Sequence, residues 1–117
     1  MKILVLGDVM GAAGRKVINN NLNKIIDDND INFTIINGEN SADDGRGVTK
    51  AIAEEFFSKG VDVITSGNHI WDKPETTDFI NLENRLLRPA NFPEDSPGNG
   101  YGIYSTKGNK FKVGVIN

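Results

Sequence analysis

The chain contains no cysteine, which excludes disulfide scaffolds, zinc fingers, iron–sulfur sites and thiol catalysis together. No apolar run approaches the roughly 18 residues of a membrane span, so none is expected. Basic residues are also few, 13 Lys and Arg against 16 Asp and Glu, and the net charge is −3. No basic stripe is available to displace counterions from a nucleic acid, and a DNA-binding surface is not expected. Histidine occurs once, at position 69. The opening Met1-Lys2-Ile3-Leu4-Val5-Leu6-Gly7-Asp8 is too short an apolar stretch for a signal peptide and soon reaches an acid. A cytoplasmic protein is expected.

At 117 residues there is room for one domain. Hydrophobic residues at 38% and charged residues at 25% are ordinary for a globular chain. Asparagine is abundant, 15 residues with a run at Asn19, Asn20, Asn21 and Asn23. Biased base composition accounts for most of them.

Lys2 to Leu6 is a short apolar run, expected of a strand buried on both faces. Gly7 to Gly14 reads as a glycine-rich turn. Val17, Ile18, Leu22, Ile25 and Ile26 then recur at a helical period. Phe33 to Ile36 is a second strand, followed by a polar loop through Gly47. Thr49 to Ser58 reads as a helix stopped by Gly60, and Val61 to Thr65 as a third strand. Pro74 to Ile80 suits a short helix with proline in its first turn. Leu86 to Arg88 reads as a fourth strand, before a loop held extended by Pro89, Pro93 and Pro97. Gly102 to Ser105 and Phe111 to Ile116 flank Lys107-Gly108-Asn109-Lys110 as a hairpin.

Strands alternating with helices predict an α/β fold with a mostly parallel sheet, right-handed crossovers and a C-terminal hairpin. In such sheets ligands gather outside the carboxyl ends of the strands. There the chain places Gly7-Asp8, Asn37-Gly38-Glu39-Asn40, Ser66-Gly67-Asn68-His69 and Pro89-Ala90-Asn91. Any one of the first three alone is explained as a turn, a solvated loop or a helix cap. Their coincidence at equivalent topological positions predicts a site. Oxygen donors plus imidazole suit Fe, Mn or Zn, and a carboxylate can bridge two cations that clamp a phosphoryl group.

Gly7, Gly11 and Gly14 form neither G-x-G-x-x-G nor a Walker A loop. A nucleotide- or phosphate-binding module without catalysis is nevertheless the alternative reading, although it leaves Asn68-His69 without a task. No serine sits in a G-x-S-x-G elbow.

The same motifs resemble those of calcineurin-like metallophosphoesterases. Met10 stands where D-x-H would place histidine, and Glu39 where aspartate is usual. Both departures are shared by the bacterial 2′,3′-cyclic-nucleotide phosphodiesterase branch. Its pattern is similar to Ile3–Gly11, Thr34–Asn40, Gly67-Asn68-His69-Ile70-Trp71-Asp72 and Arg88-Pro89-Ala90-Asn91-Phe92-Pro93. The resemblance implies a metallophosphoesterase-like α/β sandwich in which residues 1–117 are an incomplete single domain, its amino-terminal half. It implies two divalent or trivalent transition metals, iron first, then manganese or zinc. Asp8 and Asn40 would hold the first, Glu39 bridge both, and Asn68 hold the second. His69 would donate a proton to the leaving oxygen, with metal-activated hydroxide attacking a cyclic nucleotide or related phosphodiester in line. The later ligands of the family are three histidines beyond position 117, so little activity is expected from this chain. Strands apolar on both faces further predict one sheet face and the Phe111–Ile116 edge left bare, and hence a homo-oligomer.

Overall fold

A computed structural model describes all 117 residues. β1 (Ile3–Asp8), β2 (Phe33–Asn37), β3 (Val63–Thr65) and β4 (Leu86–Leu87) form a parallel sheet in the order β1-β2-β3-β4. The connections carry α1 (Gly11–Asp28), α2 (Lys50–Ser58) and α3 (Pro74–Phe79). A separate antiparallel pair, β5 (Tyr101–Ser105) and β6 (Lys112–Ile116), follows. The α/β class, the parallel sheet and the C-terminal hairpin agree with the sequence pattern. No helix is long and apolar enough to cross a membrane.

Strand alternation sorts the apolar residues into two layers. Leu6, Ile36, Ile64 and Leu86 align across the four strands. They join Leu22 of α1, Ala53 and Phe56 of α2 and Ile80 after α3 in one buried cluster. Val5, Ile35 and Val63 align on the opposite face. There Phe33, Val63 and Leu87 pack against Val113 and Val115 of β6, with Tyr104 of β5 at the margin. The hairpin is fastened at both ends. Lys107 N–H donates to Asn32 O at 3.2 Å, and the Asn117 amide donates to Ser66 O and Leu87 O at 3.1 and 3.0 Å.

This corrects the expectation of a bare second face: the chain covers β2 to β4 with its own hairpin. Val5 on β1 stays 68% exposed, as do Ile103 and Ile116 on the outer hairpin face at 75% and 79%. On the sheet face away from the helices, uncovered apolar surface thus remains on the β1 side and the back of the hairpin.

The expected turn over Gly7–Gly14 is shorter than its glycines imply. β1 runs on through Asp8, with an irregularity at Gly7 that lets Asp8 pair with Asn37 directly after Leu6 pairs with Ile36. α1 already begins at Gly11, and Gly14 lies inside it, where a Cβ would come within 3.0 Å of Val9 Cγ1. Glycine there serves close helix–loop packing. Along α1, Ile18, Leu22 and Ile26 face the core, whereas Val17 and Ile25 are exposed. Two of the asparagines have a structural task beyond composition: Asn19 donates to Glu55 of α2, and Asn23 donates to Lys59 O at 3.2 Å.

Candidate functional site

Asp8 is the last residue of β1, and Asn40 lies three residues beyond β2. The sheet brings them together: Asn40 Nδ2 donates to both carboxylate oxygens of Asp8 at 3.0 Å. The Asn40 backbone is held in turn, because its carbonyl accepts the Gly11 N–H at 2.9 Å. Arg15 of α1 donates to Ser41 O and forms an ion pair with Asp43 at 2.6 Å, tying the next turn of the loop to the same helix.

Glu39 turns toward β3. Its Oε1 accepts the His69 N–H at 3.3 Å, and its carboxylate lies against Gly67. A Cβ at position 67 would stand 2.0 Å from Glu39 Oε2, so only glycine leaves room for the carboxylate. The carboxyl ends of β1, β2 and β3 are therefore linked through Asp8–Asn40 and Glu39–Gly67–His69. Asn68 begins the 3₁₀ turn Asn68–Trp71 and is exposed at this edge, with no side-chain hydrogen bond. Asn91, at the fourth strand end, is exposed and makes no side-chain bond to the other segments.

His69 has a partner that sequence reading overlooked. Its Nδ1 lies 2.8 Å from Asp72 Oδ2, three residues on in the same turn. The spacing was visible within Asn68-His69-Ile70-Trp71-Asp72, but only a 3₁₀ turn superposes residues i and i+3. With Nδ1 engaged, Nε2 is the nitrogen left for other work.

Two carboxylates and two amides at one edge offer hard oxygen donors, which fit part of the coordination sphere of a divalent or trivalent cation. No group of three or more His, Cys, Asp or Glu is arranged to hold a metal ion. The amides must complete any set this chain provides, and Asn40 would have to turn its oxygen toward the position its NH₂ now occupies.

The sequence profile of the YmdB-like protein family matches residues 4–117. A 2′,3′-cyclic-nucleotide 2′-phosphodiesterase of Bacillus subtilis is 46% identical over 117 residues, covering 100% of this chain and 43% of the relative. A crystal structure of a novel phosphatase from Mycoplasma pneumoniae superposes with a TM-score of 0.87 at 34% identity, over 100% of this chain and 42% of that one. A hypothetical protein from Thermus thermophilus gives 0.88 at 30% identity, over 99% and 44%. The chain spans less than half the length of the curated relatives it matches. By its sequence profile and its fold, the chain belongs to the YmdB-like protein family.

Proposed function

We propose that this chain forms part of a metal-dependent phosphodiesterase acting on 2′,3′-cyclic nucleotides or related phosphodiesters. The observation that carries the reading is the meeting of Asp8 with Asn40, and of Glu39 with the Gly67–His69 turn, at one sheet edge. The activity named for the Bacillus subtilis relative agrees with it.

In this reading Asp8 and Asn40 would hold one cation and Asn68 a second, with the Glu39 carboxylate available to both. Iron is the first choice, with manganese or zinc next. Bound cations would neutralise phosphoryl oxygens and lower the pKa of water. The chain itself contributes the proton donor. Asp72 holds His69 at Nδ1, so protonated His69 presents Nε2–H to the departing oxygen. As the phosphorus–oxygen bond breaks, that proton passes to the leaving oxygen, while a water oxygen joins phosphorus from the opposite side and gives up its own proton to solvent, from which His69 is reprotonated. Two carboxylates and two amides lack the imidazoles that strengthen transition-metal affinity, so weak occupancy and low turnover are expected of the 117-residue chain. The apolar β1 face and hairpin back are proposed to bring copies of the chain together.

Titration with Mn²⁺, followed by paramagnetic broadening of the amide and side-chain NMR signals, tests the site. Broadening should begin at Asp8, Glu39, Asn40, Asn68 and His69. Broadening at Asp27 and Asp28 instead, or none at all, would overturn the metal reading. Full turnover of a bis-aryl phosphodiester by this chain would show that further ligands are dispensable.

A further inference from the structure

An arginine taken out of water is normally matched by a carboxylate or by a full set of hydrogen bonds, because its charge cannot be removed by deprotonation. The other arginines inside or half inside this protein follow the rule. Arg15 pairs with Asp43, and Arg85 pairs with Glu83 at 2.7 Å. Arg88 does not. It retains only 7% of its surface, yet no carboxylate lies within ion-pair distance. Its Nη1 donates to Pro89 O at 3.0 Å, while Nε is buried without any partner. Nη2 also makes no hydrogen bond, and unlike Nε it is not completely buried.

The free atoms are significant as a pair. Nε–H and the adjacent Nη2–H point the same way from the planar guanidinium, forming the edge that grips two oxygens of one phosphate or carboxylate. The bond from Nη1 to Pro89 O fixes the opposite side of the group. What remains is an unpartnered two-pronged edge whose Nε is closed off from water, so an anion that takes both prongs must part the side chains covering Nε.

Its position gives the edge a use. Arg88 follows β4 directly, and β4 lies beside β3 through the Thr65–Leu87 pairing. Ser66 Oγ donates to Leu87 O at 2.6 Å, and Ser66 leads straight into Gly67-Asn68-His69. Arg88 thus stands at the same carboxyl edge as the candidate site, one strand beyond His69. The cations bordering the nearby loop, Arg15 and Lys73, are already neutralised by Asp43 and Asp44.

We infer that the Nε/Nη2 edge of Arg88 is an oxyanion receptor that takes two oxygens of a phosphoryl group. The identity of that group as the phosphate of the diester rests on the phosphodiesterase reading, whereas the anion chemistry stands without it.

The test uses the isotope-labelled 117-residue chain, free of metal, with inorganic phosphate as the probe. The Arg88 Nε–H resonance should shift saturably as phosphate is added at constant ionic strength, and acetate should act at least about tenfold more weakly. Arg88→Lys keeps the charge but loses the fork, and should weaken phosphate binding about tenfold. If that variant does not fold, the wild-type resonance decides alone. A resonance unmoved by phosphate, one moved equally by acetate, or a folded Arg88→Lys protein with undiminished affinity would overturn the inference. Because no metal is present, failure of the Mn²⁺ experiment together with a normal phosphate response would remove the metal reading only.

Discussion

Gly67 owes its identity to a neighbour and not to its backbone. Its φ of −152° is open to any residue, but the Glu39 carboxylate occupies the volume of the missing side chain. The Glu39 backbone is placed by β2 and its carboxylate by this vacancy, so the two residues act as one unit. Gly67→Ala should therefore leave the fold intact while driving Glu39 away from the His69 N–H. Mn²⁺ affinity of the folded variant should fall at least about tenfold, the order expected when one charged ligand is withdrawn. Unchanged line broadening at Asn68 and His69 would show that Glu39 takes no part. The residues at this scale were legible by type: Asp8, Glu39, Asn40, Asn68 and His69 all stand where the alternation of strands and loops puts them. The hydrogen bond between His69 and Asp72 and the isolation of Arg88 were not legible, since each depends on what surrounds a side chain in space.

Among the elements, β4 is the most exposed to disruption, being two residues long at the sheet edge. It is buttressed just upstream. Arg85 lies over the Phe57 ring of α2 at 3.8 Å and donates to Glu83 at 2.9 and 2.7 Å. Those hydrogen bonds hold the Glu83 carboxyl below its ordinary value of 4.5, against the opposing effect of burial. A carboxyl whose pKa is lower in the folded state stabilises above its unfolded value, and the contribution is lost as pH falls through the folded value. Glu83→Gln should accordingly cost about 0.5 kcal/mol at neutral pH, the modest figure appropriate to a pair open to solvent on the arginine side. The deficit should shrink as pH falls below 4.5 and vanish once Glu83 is protonated in the folded protein as well. Urea denaturation of both proteins across that range measures it, and a deficit independent of pH would assign the effect to packing. Helix α1 shows why element boundaries resist sequence reading. Gly11 and Gly14 resemble turn residues in composition, yet the close approach of Val9 requires a glycine inside the helix.

For the whole molecule, the question is what covers the apolar surface that remains. Val5 on β1 and Ile103 and Ile116 on the hairpin back lie on the side of the sheet away from the helices. β6 pairs only with β5, which leaves its outer backbone edge unpaired. A free edge beside apolar surface favours association of like chains. Static light scattering over a dilution series should give a mass above 12.8 kDa at high concentration that falls on dilution. Val5→Lys with Ile103→Lys should keep the monomer mass throughout. A wild-type protein that stays at 12.8 kDa at every concentration would rule out this association.

Local pattern alone determined the α/β class, the order of strands and helices, and the edge at which the polar motifs gather. Hydrophobic period and glycine punctuation act over a few residues, and the handedness of crossovers converts their order into topology. Tertiary structure alone decided where the hairpin lies. Phe111 to Ile116 reads as an apolar strand whichever face it covers, and Phe33, Val63 and Leu87 become its seat only once three parallel strands align them. The charge of Arg88 is likewise plain in the sequence. Its lack of a counter-charge is not, because burial and pairing are set by residues distant in the chain and near in space.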